Sequence, residues 1–257
     1  MSMKAVILAG GLGLRLSEET QSKPKPMVEI GGRPILWHIM KHYSHFGVSE
    51  FIVCLGYKGH IIKEYFANFH IKYSDFTVDL SKRNVTFHSQ NEENWKISLV
   101  DTGDKSQTGE RLRRVEEFIG DDPEFCFTYG DGLTDLDIGA SINFHQSHGR
   151  LATITTVKPK SRFGALETDQ NYVTWFSEKP HNLDGHVNGG YFVLKREIFK
   201  IISDSNMSWE SDLLPKLVEL RQLMAYEHCG FWQCMDTLRD KEILEDIWNS
   251  GSVPWQI

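Results

Sequence analysis

The chain has 257 residues, of which 40% are hydrophobic and 25% are charged, a composition typical of soluble globular proteins. Its formal net charge of −7 argues against a nucleic-acid or anionic-membrane surface, because both partners need a basic face. No apolar run reaches the roughly 20 residues of a membrane span or has the form of a signal peptide. The four cysteines lack metal-binding spacing, so we expect free thiols in a cytoplasmic protein.

The first half of the chain alternates between predicted strands and helices. Apolar and β-branched runs predict strands at residues 5–9, 51–55, 76–80, 85–88 and 125–129. Helical patterns cover residues 35–46, 60–69 and 108–119. This alternation predicts an α/β fold with a doubly wound, mainly parallel, Rossmann-like sheet. Ligands should bind beyond the carboxyl ends of its strands.

The pattern changes after a predicted helix at 138–148. Short strands are predicted at 152–157, 165–168, 173–177 and 190–194, and helices at 209–220 and 241–248. We expect this part to be smaller, mixed or antiparallel, and to cap the first half. Because the sequence shows no linker long enough to separate independent domains, the chain is predicted to be a single domain, 1–257. Its two halves are expected at about 1–150 and about 151–257.

A glycine turn, GGLGLRL at 10–16, follows the first strand, and the proline-braced segment KPKPM follows at 23–27. The dinucleotide fingerprint would need a third glycine where Leu16 stands, and the P-loop pattern is absent. Backbone N–H groups with two cations, Arg15 and Lys25, suit a polyphosphate. The plain alternative is a turn that only closes a tight strand-to-helix connection.

Two carboxylates are candidates for a metal site. Asp131 follows a predicted strand and lies between glycines, and Asp236 could reach the same place from the second half. Mg²⁺ takes one or two carboxylates together with waters and substrate phosphates. Alternatively, Asp131 bonds its own turn, and Asp236 caps the last helix, a role for which Thr237 is also available.

These segments resemble the signature of the sugar-1-phosphate nucleotidyltransferases, G-G-x-G-T-R-L followed by P-K-P-M. Further motifs of that family recur in order, namely FTYGD (127–131), RFGA (162–165), EKP (178–180), NGGY (188–191) and WQCMD (232–236). The sets VDTGDKSQTG, FTYGDG, NGGYFVL and MDTLRDK are most similar to the cytidylyl-transferring branch. Nearly the whole chain is covered by the resemblance.

The resemblance implies a reaction of CTP with glucose 1-phosphate that gives CDP-glucose and pyrophosphate. It implies Mg²⁺ on Asp131 and Asp236, with Arg15, Lys25 and Asp131 as catalytic residues. The implied nucleotide-binding residues are Leu8, Ala9, Gly10, Gly11, Leu12, Gly13, Leu14, Arg15, Lys25, Ser106, Arg111 and Gly130. The implied sugar-phosphate-binding residues are Gly164, Glu178, Lys179, Asn188 and Gly189. The first half would hold the nucleotide, and the second half would hold the sugar phosphate and the subunit contacts.

Two residues depart from the family pattern. Leu14 replaces the usual threonine of the phosphate turn, and Glu110 stands where a second glycine is common, which puts a carboxylate near the expected nucleotide region. Other readings stay open nearby. Arg111 could belong to an exposed helix face with Arg113 and Arg114, and the EKP segment could be a surface turn. The pair Trp209-Glu210 either closes the sugar pocket or begins a helix.

Three other functions compete with this interpretation. The same chemistry with UTP or dTTP is the nearest, and a non-catalytic nucleotide-binding subunit and a hydride-transfer enzyme are the others. By resemblance we also expect a homohexamer, with Trp248 and Trp255 as possible contacts. The same resemblance implies a role in nucleotide-sugar supply for lipopolysaccharide O-antigen.

Overall fold

The first strand, β1 (Lys4–Leu8), is buried on both of its faces. Ala5 and Ile7 pack into one hydrophobic layer, whereas Val6 and Leu8 pack into the other. Side chains of successive strand residues point to opposite faces, so a continuous apolar run requires a cover on each side. The structure, a computed structural model, describes residues 3–88, 93–158, 165–169, 172–177, 185–203 and 206–256.

The other described strands are β2 (Glu29–Ile30), β3 (Arg33–Pro34), β4 (Glu50–Leu55), β5 (Phe76–Asp79), β6 (Asn84–Phe87), β7 (Lys96–Asp101), β8 (Glu124–Tyr129), β9 (Gly132–Thr134), β10 (Ala152–Val157), β11 (Ala165–Asp169), β12 (Tyr172–Ser177), β13 (Val187–Lys195), β14 (Leu223–His228) and β15 (Trp232–Cys234). The described α-helices are α1 (Ser17–Thr20), α2 (Ile35–His45), α3 (Gly59–Ala67), α4 (Phe69–Tyr73), α5 (Thr108–Arg113), α6 (Glu116–Ile119), α7 (Ile138–His148), α8 (Leu214–Glu219) and α9 (Leu238–Asn249).

Seven of these strands form one sheet in the order β14-β10-β13-β8-β1-β4-β7. β1 pairs in parallel with β4 and with β8, β4 pairs in parallel with β7, and β10 pairs in parallel with β14. Only β13 runs against its neighbours within this sheet. The predicted mainly parallel α/β sheet is confirmed. The strands after residue 150 differ from the expected cap, because β10, β13 and β14 extend the sheet of the first half.

Several elements differ from the sequence prediction. The helix expected at 108–119 is divided into α5 and α6. The helix expected at 209–220 starts as a π-helical turn, Trp209–Leu213, before α8. The edge strands β7 and β14 were not predicted, although the first residues of β7 alternate between polar and apolar types, which is the pattern of a half-buried strand.

The C-terminal segment packs onto the hairpin formed by β2 and β3. Trp248, in α9, lies against Gly31 in the turn of that hairpin. Trp255 is only 3% exposed and donates its indole N–H to His38 Nδ1 at 3.4 Å. Burial lowers the pKa of His38 to about 4, so the ring is neutral and can accept this bond. The suggestion that Trp255 supplies a subunit contact is therefore wrong, because the ring is buried within its own chain.

Among the helices that the structure describes, none combines the length and apolar character needed to cross a membrane.

Gly31→Ala tests the docking of α9. The new Cβ would lie 2.0 Å from Trp248 Cε2, at a backbone φ of +57°. Its neighbour Gly32 is a matched control, since its φ is +76° and a Cβ there meets nothing within 4 Å. We expect Gly32→Ala to lower the free energy of unfolding by about 1–2 kcal/mol through left-handed strain alone. Gly31→Ala should cost about 1–3 kcal/mol more, because it also overpacks the contact. Urea unfolding followed by circular dichroism measures both, and equal losses would contradict the contact.

Candidate active site

Two glycine turns lie side by side at the carboxyl edge of the sheet. The parallel pairing of β1 with β8 aligns Leu8 with Tyr129, so the turns that begin after these residues start at the same level. Gly130 packs so tightly that a Cβ there would lie 2.6 Å from the Leu8 carbonyl oxygen. The close approach requires glycine, and it joins the turn that carries Asp131 to the turn that carries Gly10.

A cavity of about 430 Å³ opens above these turns. Most of the predicted nucleotide-binding residues line it, together with Asp131. Those residues are Leu8, Ala9, Gly10, Gly11, Gly13, Arg15, Lys25, Ser106, Arg111 and Gly130. Leu12 is not among them, and its side chain is half exposed. The side chain of Leu14 lies outside the described part of the structure.

Arg111 supports the first glycine turn from beneath. Its guanidinium donates to the carbonyl oxygens of Gly10 at 3.0 Å and Leu55 at 3.0 Å, to Thr102 Oγ1 at 2.8 Å and to the Asp104 carbonyl at 3.3 Å. The residue is 4% exposed, and burial lowers its pKa. The alternative that placed Arg111 on an exposed helix face is therefore wrong. Its bonds fix the backbone that lines the cavity.

Glu110 does not add charge to the cavity. Its carboxylate accepts from Arg113 Nε at 2.8 Å and from Arg114 Nε at 2.7 Å, and its side chain is 5% exposed. These two guanidinium groups hold the pKa of Glu110 below its usual range, although partial burial opposes them. The Glu110 carboxylate, which was expected to add negative charge near the nucleotide region, is therefore paired with two arginines and has a structural role.

Lys25 joins the two candidate metal carboxylates. Its ammonium lies 2.6 Å from Asp131 Oδ2 and 2.7 Å from Asp236 Oδ1. Arg15 Nη1 adds a contact of 3.0 Å to Asp236 Oδ2, although its own side chain is 76% exposed. Burial by itself would lower the pKa of Lys25, but the two carboxylates outweigh it and raise that pKa above its usual value. Lys25 is therefore a fixed cation between the two carboxylates.

The prolines that flank Lys25 hold it in place. Pro24 precedes a short 3₁₀ turn, Lys25–Met27, in which Pro26 and Met27 are buried. The Met27 N–H donates to the Pro24 carbonyl at 2.8 Å. Because each proline fixes its own φ, the segment has little freedom and presents Lys25 to the turn beyond β8.

Asp236 is not the cap of the last helix. Thr237 is the N-cap of α9 and forms a capping box with Asp240. Asp240 Oδ2 also accepts from the Asp236 N–H at 3.1 Å, which fixes the backbone of Asp236. The Met235 N–H donates to the Asp131 carbonyl at 2.8 Å, so the segments that carry the two carboxylates are joined directly. The side chains of Asp131 and Asp236 both accept a hydrogen bond from Lys25.

The pair Asp131 and Asp236 fits a small divalent cation. Both carboxylates already converge on one positive charge, the Lys25 ammonium, and both are mostly buried, with side-chain exposures of 30% and 18%. Within the described residues there is no cluster of three or more His, Cys, Asp or Glu side chains that could hold a metal alone. Two carboxylates completed by substrate phosphates and water match the preference of Mg²⁺.

A second cavity, of about 230 Å³, adjoins the first and shares Arg15, Tyr129 and Asp131 with it. Asn188, Gly189 and Asp236 also line it. The Trp232 indole N–H donates to the Gly189 carbonyl at 2.8 Å and closes one side. The remaining predicted acceptor residues, Gly164, Glu178 and Lys179, lie outside the described residues.

Tyr129 forms the wall between the two cavities. Asn188 Nδ2 donates to the Tyr129 hydroxyl at 3.2 Å, and that hydroxyl in turn donates to Glu210. Burial and the neighbouring Glu210 raise the pKa of Tyr129, which keeps the hydroxyl protonated. Thr108 Oγ1 completes the chain by donating to Glu210 Oε2 at 2.5 Å. A continuous hydrogen-bond chain therefore links the smaller cavity to the larger one.

Sequence reasoning missed this chain. Tyr129 stands inside the FTYGD segment that carried the family resemblance, so a signal for it existed. Glu210 was expected either to close the sugar pocket or to begin a helix. It lies in the first turn of the helical segment Trp209–Leu213, as the second alternative predicted, and it also lines the larger cavity. Its partners, Thr108 and Ser208, belong to segments that meet only in the folded protein.

Comparison with known proteins identifies the family of this chain. The Nucleotidyl transferase family model matches residues 4–239, and the chain belongs to that family. A glucose-1-phosphate cytidylyltransferase of Salmonella typhi is 54% identical over 254 residues, which cover 99% of each chain. A probable glucose-1-phosphate cytidylyltransferase of Bacillus subtilis (strain 168) is 42% identical over 256 residues, 99% of this chain and 100% of that protein. The solved structure of HddC from Yersinia pseudotuberculosis is 25% identical, with a TM-score of 0.68 over 96% of this chain and 99% of that one.

Gly10→Ala tests the fit of the glycine turn to Arg111. A Cβ at Gly10 would lie 2.2 Å from Arg111 Nη1, whereas a Cβ at Gly11 would meet nothing within 4 Å. Displacing the guanidinium would release the turn, so we expect Gly10→Ala to weaken nucleoside triphosphate binding by roughly tenfold or more, a loss of about 1.4 kcal/mol. Gly11→Ala should bind nearly as wild type. Isothermal titration with four ribonucleoside triphosphates measures both variants. Equal affinities of the two would contradict the supporting role of Arg111.

Proposed function

We propose that this chain is a glucose-1-phosphate cytidylyltransferase, which transfers the cytidylyl group of CTP to α-D-glucose 1-phosphate and releases pyrophosphate. The observation that carries the proposal is the 54% identity to the Salmonella typhi enzyme over 99% of both chains. The arrangement of the site agrees with a two-substrate reaction, since two cavities adjoin and share Arg15, Tyr129 and Asp131. The larger cavity suits the nucleotide, and the smaller one suits the sugar phosphate.

The acceptor needs no general base. A sugar 1-phosphate is already ionised near neutral pH, so its oxygen can attack the α-phosphorus of CTP directly. A new P–O bond forms as the bond from the α-phosphorus to the β-phosphate oxygen breaks, and pyrophosphate leaves. The work of the protein is then alignment and charge neutralisation. Arg15 and the N–H groups of the glycine turn are suited to the phosphates of the leaving group, and Lys25 is suited to bridge phosphates.

Mg²⁺ is the proposed cofactor, held by Asp131 and Asp236. When bound, it would neutralise phosphate charge and polarise the α-phosphoryl group. The acceptor phosphate is proposed to meet Lys179, with Glu178, Gly164, Asn188 and Gly189 around the sugar. Ser106 and Arg111 are proposed on the nucleotide side. In this assignment residues 1–257 form one domain, with the nucleotide half at about 1–150.

Assembly and biological role follow from the family resemblance alone. We propose a cytoplasmic homohexamer that supplies CDP-glucose for lipopolysaccharide O-antigen. UTP and dTTP remain the alternative donors. A non-catalytic subunit is disfavoured, because Arg15, Lys25, Asp131 and Asp236 are all retained and brought together.

A substrate screen tests the reaction. Pyrophosphate release is measured with CTP, UTP, dTTP and GTP, each against glucose 1-phosphate, mannose 1-phosphate and galactose 1-phosphate. We expect CTP with glucose 1-phosphate to have a kcat/KM roughly 100-fold or more above the other pairs. The reason is that a site that hydrogen-bonds one base leaves polar groups unpaired with another. Preference for UTP or dTTP would replace the proposed donor, and no turnover with any pair would reject the enzyme class.

Asp131→Asn tests the metal carboxylate. Loss of the charge should reduce kcat roughly 100-fold or more, the scale seen when one charge-stabilising group is removed from a transition state. Asp137→Asn is the matched control, because Asp137 caps α7 by accepting from the Ala140 N–H, and asparagine caps equally well. That variant should keep full activity in the same magnesium-dependent assay. Full activity of Asp131→Asn would remove Asp131 from the metal site.

A further inference from the structure

The position between the two carboxylates of the candidate metal site is occupied by a side chain of the protein itself. Lys25 places one ammonium between Asp131 Oδ2, at 2.6 Å, and Asp236 Oδ1, at 2.7 Å. The lysine side chain is 12% exposed, less than either carboxylate. Charge-assisted hydrogen bonds of this length are strong, and the surrounding burial limits screening by solvent. Arg15 Nη1, 3.0 Å from Asp236 Oδ2, adds a second positive charge, so two cations balance the two carboxylates without a metal.

A metal and the ammonium cannot share this position. Mg²⁺ held by Asp131 and Asp236 would compete with the ammonium for the same carboxylate oxygens. Free metal must therefore displace Lys25, whose charge would be left without its partners in a mostly buried place. Breaking such a pair by removing one side is typically strongly destabilising, because it leaves an uncompensated charge. Free divalent cation should bind weakly for this reason.

A triphosphate changes this balance. Lys25 lines the larger cavity as well as contacting both carboxylates, so one side chain borders both the phosphate region and the metal region. Lysine has a flexible four-carbon stem and serves proteins as a point-charge ligand of phosphate. Phosphate oxygens in that cavity would offer the ammonium new partners at the moment when a metal takes the carboxylates.

We infer that Lys25 is an internal counterion that keeps free divalent cations out of the site, and that the metal enters only with the triphosphate, in exchange for the lysine. Metal and nucleotide then arrive as one complex, and Lys25 moves from carboxylates to phosphates in the same event. The inference rests on the proposed function for the identity of the triphosphate. The occupation of the carboxylates by Lys25 does not depend on it.

The test measures Mn²⁺ binding to nucleotide-free protein by electron paramagnetic resonance, with no substrate present. Wild type should bind Mn²⁺ only weakly. Lys25→Met removes the counterion and keeps the length of the side chain, so it should bind Mn²⁺ at least about tenfold more tightly. A tenfold change in affinity corresponds to about 1.4 kcal/mol of binding free energy. A thermal-unfolding series with Mn²⁺ gives a second readout, because a ligand of the folded state raises Tm.

Two control variants separate charge from general damage. Lys25→Arg retains a cation and should keep the weak Mn²⁺ binding of wild type. Lys41→Met removes an equivalent charge from a distant ion pair, Lys41 with Glu93 at 2.8 Å, and should also behave as wild type. If Lys25→Met folds only when Mn²⁺ is present, that outcome supports the inference as well.

Two Mn²⁺ binding results would contradict the inference. Micromolar binding of Mn²⁺ by nucleotide-free wild type would overturn the inference, even if no variant folds. Equal Mn²⁺ affinity of wild type and Lys25→Met would also overturn it. Because neither measurement involves turnover, a failed substrate screen would reject the proposed reaction without affecting this result.

Discussion

The parallel pairing of β1 with β8 is the constraint on which the site depends. These strands are separated by more than a hundred residues of chain, yet their register, from Ala5 opposite Cys126 to Leu8 opposite Tyr129, starts both glycine turns at one level. Gly130 then packs against the end of β1 at a distance that excludes a side chain. A shift of this register would separate the glycine turn after β1 from Asp131. Burial of the two strands on both faces makes such a shift costly, because it would move apolar residues out of both layers.

The second constraint is electrostatic. Asp131 and Asp236 are like charges on segments tied together by the bond from the Met235 N–H to the Asp131 carbonyl. Unpaired, they would repel each other in a place that water only partly reaches. Lys25 resolves this repulsion, and its flanking prolines reduce the entropy lost when its backbone is fixed. The capping box of α9 contributes indirectly, because Thr237 takes the capping role that Asp236 could otherwise fill.

Much of the fold and part of the site could be predicted from sequence. β1, β4 and β8 lie within one residue of their predicted bounds, since continuous apolar runs are a strong signal for buried parallel strands. The glycine turn, Asp131 and Asp236 come together, as their motifs indicated. Arg111 was harder, because a run of arginines looks like an exposed helix face, and only the tertiary structure shows the carbonyl groups that it binds. Lys25 was assigned to phosphates because nothing in its local sequence reveals the carboxylates that hold it.

Tyr129 shows how the two cavities can depend on each other. Its hydroxyl has one proton, which goes to Glu210, because an ionised carboxylate can only accept; the hydroxyl oxygen is then left to accept from Asn188. The Asn188 side-chain oxygen accepts from the Gly190 N–H at 2.8 Å, which fixes the amide orientation as well. Every member of the chain from Thr108 to Asn188 therefore has a defined donor direction. The bonds from Asn188 through Tyr129 and the bond from Thr108 therefore converge on Glu210, their common acceptor, so a displacement of Glu210 would disturb groups that line both cavities.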